Sequence, residues 1–211
     1  RSHGYEKPHN VRWWCLGNEM DGPWQIGQMQ ARDYGRKARD AARQMRVLDP
    51  ELQLIACGSS GTNMPQYLIW DREVLEECYD QVDGISLHAY YGNTPALTRS
   101  SSARYLAMNL DMDRQIREVA AVCDYVQGLR RSSKRLWLSF DEWNVWYRAR
   151  SGDAVDGRRR RAGDGQFGQS VQPRGPRLAR QLYAHRGGAA CVLVLDLRLA
   201  LDGEVDGGAV L

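Results

Sequence analysis

Short apolar runs alternate with longer amphipathic stretches through the first 140 or so residues of the chain. Residues 11–17, Val-Arg-Trp-Trp-Cys-Leu-Gly, are β-prone and close at a glycine. From about Gln30 to Leu48, the residues Ala31, Tyr34, Ala38, Ala41, Ala42, Met45 and Leu48 recur at three- and four-residue spacing. That spacing predicts a helix with one buried face. Asp49-Pro50 ends it, because the residue before a proline is pushed out of the helical region. A second strand is expected over Leu52–Gly58, a helix from about Asp71 to Cys78, and a third strand over Val82–His88. A long helix is then expected from about Ser102 to Gly128, with the stripe Leu106, Ala107, Leu110, Ile116, Val119, Ala120, Cys123 and Val126. Gly128 reads as its terminator, and Arg130, Arg131, Lys134 and Arg135 gather where the helix dipole favours cations. A fourth strand is expected over 136–140.

The order β, α, β, α, β, α, β predicts an α/β fold, with a parallel sheet, right-handed crossovers and function at the C-terminal edge of the strands. A (β/α) barrel and a doubly wound sheet both satisfy it. No glycine-rich phosphate loop follows any strand, which disfavours nucleotide binding. After about Arg150 the pattern stops. All seven tryptophans lie at or before Trp146, whereas residues 151–211 hold eleven of the 21 glycines and the run Arg158-Arg159-Arg160-Arg161. The chain therefore divides into an alternating β/α part, 1–150, and an irregular Arg/Gly-rich tail, 151–211, left unassigned. In that tail only Val192–Leu199 could make a strand.

Polar residues concentrate at the ends of the apolar runs. Leu136-Trp137-Leu138-Ser139 leads into Phe140-Asp141-Glu142-Trp143-Asn144, and Trp14-Cys15-Leu16-Gly17 leads into Asn18-Glu19. A carboxylate just past a buried strand end, among aromatics, is poorly solvated and held in one geometry, as a catalytic group must be. Two of them make the pair that glycoside hydrolysis uses, one as proton donor and one as nucleophile or base.

Composition narrows the partners. A hydrophobic share of 43% and a net charge of +3 argue for no nucleic acid and no anionic membrane surface. The longest apolar run, Ala189–Leu195, is far short of the ~20 residues that span a bilayer. Five scattered cysteines without a CxxC predict free, buried thiols in a reducing compartment. Four histidines (His3, His9, His88, His185) show no ligand spacing, so neither a metal nor another cofactor is expected. The opening Arg1-Ser2-His3-Gly4 has no apolar secretory segment and no Met. A cytoplasmic location and an origin in a longer chain are therefore expected.

The stretches Trp14-Cys15-Leu16-Gly17-Asn18-Glu19-Met20-Asp21-Gly22-Pro23-Trp24-Gln25-Ile26-Gly27 and Ser139-Phe140-Asp141-Glu142-Trp143-Asn144-Val145-Trp146-Tyr147 resemble the two catalytic segments of family 51 α-L-arabinofuranosidases. Ala56–Ser60 and Ser86–Asn93 match in the same order, and the similarity covers roughly residues 8–157. The resemblance implies a retaining, exo-acting glycosidase on a (β/α)8 TIM barrel, with strands four to seven in this chain and no cofactor. It implies Glu19 as acid/base after strand four and Glu142 as nucleophile after strand seven. Asn18 is then expected to bind the sugar 2-hydroxyl, and Tyr90 to donate to Glu142. His88 is expected near the pair, and Trp146 to wall the sugar subsite. Asp141 is expected to point into the barrel as support, while Trp13, Trp14, Trp137 and Trp143 are expected in the core. The implied partners are terminal arabinofuranosyl groups of arabinan, arabinoxylan and oligosaccharides, with a homo-oligomer for the full-length parent.

Two other readings stay open: a retaining glycosidase acting on a pyranoside, and a non-catalytic fragment, including a basic module built on Arg158–Arg161. The family pattern has three strands ahead of these motifs and an eighth strand and β-sandwich behind them. None is found in the text. A reading-frame slip near Arg159–Ala162 is expected to account for the tail. A half barrel of this kind should expose a sheet edge on each side, be marginally stable and be inactive alone.

Overall fold

The computed structural model describes residues 4, 6–7, 9–92, 94–146, 181–183 and 192–195, with residues 145–146 and the last two segments described by backbone alone. Strand β1 (Trp13–Cys15) is followed by α1 (Ala31–Leu48), β2 (Gln53–Ala56), α2 (Ile69–Cys78) and β3 (Gly84–Gly92). The chain continues through α3 (Pro95–Thr98), α4 (Ser102–Ala107), α5 (Leu110–Arg130) and β4 (Trp137–Trp146), with β5 (Gln181–Tyr183) and β6 (Val192–Leu195) last. The sheet order is β1-β2-β3-β4-β6-β5, and the first four strands are mutually parallel. Helices cover the outer face of these four, as in half of a (β/α)8 barrel. No described helix is long and apolar enough to cross a membrane.

The helices form because their apolar stripes meet the outward residues of the strands. Ala31, Tyr34, Ala38 and Ala42 of α1 and Trp70, Val74, Leu75 and Cys78 of α2 are buried in this layer. Ile85, Leu87, Leu138 and Phe140 meet them from the sheet. Ile116, Val119, Cys123 and Val126 complete it from α5. At the far end of the sheet from the strand tips, Asp83 Oδ2 accepts from the Leu54 amide at 2.8 Å and pairs with Arg46 at 2.6 Å.

Several expectations need correction. The helix expected over Ser102–Gly128 is two helices, broken at Met108–Asn109. Asp111 and Asp113 in the first turn of α5 favour a new helix start there, where the dipole is positive. The break rotates the face, leaving Leu106 and Leu110 exposed. Helix α5 ends not at Gly128 but at Arg130, capped by Arg131 in the left-handed region (φ 51°). Strands β3 and β4 run on to Gly92 and Trp146 because their backbones keep pairing as far as those residues. Glu142 therefore lies within a strand rather than just past its end.

Among the described residues the sheet ends on β1 at one side and on β5 at the other, so each side has a bare edge, as expected. Nothing pairs beyond β1, and Trp13 and Trp14 there are 50% and 45% exposed, not buried in a core. At the other side β6 pairs antiparallel with β4 and β5 pairs antiparallel with β6, so the bare edge there is that of β5. Unpaired strand edges take whatever strand-prone segment can reach them. Val192–Leu195 falls inside the one stretch of the tail expected to be strand-forming; β5 was not anticipated. The remainder of 151–211, where the frame slip is expected, lies outside the described residues.

Two glycines shape the inner face. The Trp137 ring lies across Gly84, its strand neighbour, and reaches Trp13 at a centroid distance of 4.7 Å. Gly58, just past β2, donates its amide to Ser86 Oγ at 3.1 Å, so closely that a Cβ would overlap the Ser86 carbonyl oxygen. Gly58→Ala should therefore destabilise the fold by about 1–3 kcal/mol or more, read as a lower urea midpoint at unchanged slope. An unchanged midpoint would show that the strand separation at Gly58 is not as tight as described.

Candidate active site

The acidic groups of the two motifs meet at the C-terminal tips of the parallel strands. Glu19 sits in the turn after β1 with φ 46°, a left-handed conformation uncommon for a non-glycine residue. Such strain persists where surrounding contacts over-determine the backbone, and functional sites are enriched in it. The contacts here are specific. The Gly22 amide donates to the Glu19 carbonyl at 2.8 Å, and the Met20 amide donates to Cys57 Sγ at 3.3 Å. The Ser60 amide donates to Asp21 Oδ2 at 3.0 Å. Gly22 also leaves room for the Trp24 indole, which folds back over it and donates to Glu19 Oε2 at 2.5 Å.

The loop after β2 that holds the Glu19 turn is itself fastened to α2. Asp71, 1% exposed, accepts from the Ser59 amide (2.8 Å), the Ser59 hydroxyl (2.6 Å) and the Leu68 amide (3.1 Å). Burial raises the Asp71 carboxyl, and these three donors oppose that. Trp70 Nε1 donates to the Cys57 carbonyl at 3.1 Å, fixing the same loop from α2.

A register shift between β3 and β4 makes the second half of the site. Leu87 pairs with Phe140 but His88 pairs with Glu142, so Asp141 is an extra residue in β4. A bulge of this kind breaks the strict alternation of faces. Asp141 and Glu142, neighbours in sequence, can then both address His88. Asp141 Oδ1 lies 3.1 Å from Nε2, and Glu142 Oε2 lies 3.8 Å from Nδ1. Nδ1 also meets Glu19 Oε1 at 3.0 Å. The ring is 3% exposed, and Gln115, buried on α5, donates to the His88 carbonyl at 3.1 Å.

Electrostatics follows from this arrangement. Burial alone would push the imidazole down, but its contacts with Asp141 and Glu19 and the charges of Asp141 and Glu142 outweigh that. The ring is raised to about 9 and is an imidazolium at neutral pH. Tyr90 donates to Glu142 Oε2 at 3.0 Å; burial, and then that bond, raise its hydroxyl to about 12, so it remains a donor. The Cys15 thiol, partly desolvated and facing Asp141 Oδ2 at 3.6 Å, is pushed up to about 12. It is a weak donor to Asp141 rather than a nucleophile.

Of the residues singled out from sequence, Glu19, His88, Tyr90 and Glu142 come together, and Asn18 lies exposed in the same turn as Glu19. Trp146 ends β4, and its ring lies outside the described residues. Asp141 does point into the barrel. Cys15 is exposed rather than buried, unlike Cys57, Cys78 and Cys123, because it faces the open interior. Sequence reasoning missed Trp24 and Gln115 as supports. Trp24 lies five residues after Glu19 within the first motif, a usable signal; Gln115 is one polar residue on a helix stripe, and offered none. The histidine-spacing argument against a metal site also missed a trio: His88 Nδ1 and one oxygen each of Glu19 and Glu142 all lie within 4.8 Å of one another.

No family model matches the chain. It is 53% identical over 152 residues to the intracellular exo-α-(1→5)-L-arabinofuranosidase of Halalkalibacterium halodurans, covering 72% of this chain and 30% of that protein. To the corresponding enzyme 1 of Bacillus subtilis it is 52% identical over 153 residues, with the same coverage. Among solved structures, a family 51 α-L-arabinofuranosidase of Bifidobacterium longum superposes with a TM-score of 0.64 at 40% identity, over 69% of this chain and 29% of that one. The chain thus spans about 30% of the length of the curated relatives it matches, and it belongs, as a partial chain, to the family 51 α-L-arabinofuranosidases.

Proposed function

We propose that this chain supplies the acid/base and nucleophile strands of a retaining, exo-acting α-L-arabinofuranosidase. The substrates are terminal arabinofuranosyl groups of arabinan, arabinoxylan and their oligosaccharides. The observation that carries this reading is the approach of Glu19 and Glu142, whose nearest oxygens lie within 4.8 Å. Retaining glycosidases place their carboxyl groups about 5–5.5 Å apart, whereas inverting enzymes need about 6.5–9.5 Å to admit a water. The names of the two curated relatives place those enzymes inside the cell, which supports a cytoplasmic location for the protein this chain comes from.

In the first step Glu142 attacks the anomeric carbon, and the C–O bond to the leaving group breaks as Glu19 passes its proton to the departing oxygen. In the second, Glu19 takes a proton from water, whose oxygen attacks the anomeric carbon and releases Glu142. Tyr90 holds the Glu142 oxygen that does not attack, and the cationic His88 keeps two carboxylates tolerable at this separation. Asn18, beside Glu19, is the group assigned to the 2-hydroxyl, where a hydrogen bond strengthens in the transition state. Trp146 is assigned to the wall of the sugar subsite.

Residues 9–146 exchanged into the Bacillus subtilis relative test the reading. The exchanged protein should hydrolyse 4-nitrophenyl α-L-arabinofuranoside in preference to the xyloside and galactoside. Glu142→Ala should lower kcat at least about 10³-fold, with azide restoring turnover as an external nucleophile. Activity that survives Glu142→Ala, or a preference for the pyranosides, would overturn it.

The proton on His88 can be followed separately, in the 211-residue chain. Its imidazole should titrate near 9 by NMR, and Asp141→Asn should move it down toward the ordinary value of about 6.5. Because the folded value is raised, the stabilisation is complete below about pH 6.5 and is lost as pH rises through about 9. The melting temperature of the parent should therefore fall more between about pH 7 and pH 10 than that of His88→Gln.

A further inference from the structure

We propose that Glu19, His88 and Glu142, the same groups that the proposed hydrolysis uses, also form a binding site for one divalent first-row transition cation. The argument is geometric. His88 Nδ1 lies 3.0 Å from Glu19 Oε1 and 3.8 Å from Glu142 Oε2. Donor atoms around a tetrahedral ion with bonds of about 2.0–2.2 Å are about 3.4 Å apart. The two observed distances bracket that figure, and the Glu19 and Glu142 oxygens lie within 4.8 Å of each other, so closing on an ion draws these two carboxylates together around His88.

The far side of the ring is also arranged as metal sites arrange it. Nε2 faces Asp141 Oδ1 at 3.1 Å. A carboxylate behind a histidine fixes its tautomer, keeps the proton on the rear nitrogen and turns the other lone pair outward. Here the outward nitrogen is Nδ1, the atom that meets both glutamates. Gln115 holds the His88 backbone from α5, Trp24 donates to the other Glu19 oxygen, and Tyr90 donates to Glu142. The donors are therefore fixed before any ion arrives, which lowers the ordering cost of binding. Glu142 is 33% exposed, so a fourth position is open to water.

One imidazole nitrogen and two carboxylate oxygens suit Zn²⁺, Co²⁺ or Mn²⁺ better than a soft ion. The exchange is balanced: the ion takes the Nδ1 lone pair, the Nδ1 proton leaves to solvent, and the proton facing Asp141 stays. Cys15 is no fourth ligand, since its sulfur meets Asp141 rather than the open side of the ring. This site does not depend on which sugar the cleft accepts, so the two readings can fail separately.

The test is titration of cobalt(II) chloride alone into the full 211-residue chain at about pH 8, under reducing conditions, by calorimetry and visible absorption. One ion per chain is expected, with weak visible bands of nitrogen and oxygen ligation and no intense thiolate charge-transfer band. Affinity should fall at least about tenfold in His88→Gln and in Glu19→Gln, and about 10–100-fold in Asp141→Asn. It should be unchanged in Cys15→Ser. Far-UV circular dichroism selects the variants that fold; if His88→Gln does not, Glu19→Gln carries the same decision, because its side chain is a donor outside the core. The proposal is overturned if no ion is taken up, if a folded Glu19→Gln or His88→Gln binds as the parent does, or if the spectrum is that of a thiolate complex.

Discussion

A buried imidazole that faces three carboxylates sets the terms for the whole cleft. Without the cation, Glu19, Asp141 and Glu142 would be like charges crowded into a partly desolvated space, an arrangement that forces protonation or pushes the strands apart. With it, each carboxylate has a partner, and the ring has contacts on both nitrogens. The closeness of Glu19 and Glu142 is thus a consequence of His88. Truncating that ring would leave uncompensated charge where the proposed chemistry places two carboxyl groups.

The sheet is built to deliver that ring and its partners to one place. Parallel pairing brings the C-terminal ends of β1, β3 and β4 to the same edge, although the residues concerned are 123 positions apart along the chain at the extremes. The bulge at Asp141 then gives β4 two inward carboxylates where strict alternation allows one. Backing comes from outside the sheet: Asp71 and Trp70 on α2 fasten the loop beyond β2, and that loop fastens the Glu19 turn. A contact chain from a fully buried aspartate thus reaches across two loops to the strained Glu19 at the cleft.

The bare edge at β1 fits a chain that spans about 30% of the length of its relatives. Trp13 and Trp14 are half exposed there, and Trp13 leans across Gly84's neighbour Trp137 on the concave face. Beyond β4 the sheet continues into β6, antiparallel to β4, where a barrel would continue with another parallel strand. Backbone donors and acceptors at an edge are satisfied by the nearest apolar strand, whatever its direction.

What the sequence determined by itself is local or repetitive. The stripe from Ala31 to Ala42 marked α1 because a helix repeats every 3.6 residues, and the apolar runs leading into Glu19 and Glu142 marked strands β1 and β4. The alternation of these elements was enough for a parallel α/β sheet, and the motif resemblance was enough to single out both glutamates as the proposed pair. Side-chain direction after an irregularity was not legible. The bulge that turns Asp141 and Glu142 together, the break at Met108–Asn109 and the antiparallel return of β6 each depend on which backbone groups find partners in three dimensions. The same holds for the ring of contacts around His88. A histidine's charge is set by what stands within about 4 Å of it, and those neighbours, drawn from β4 and the turn after β1, become neighbours only when the sheet has formed.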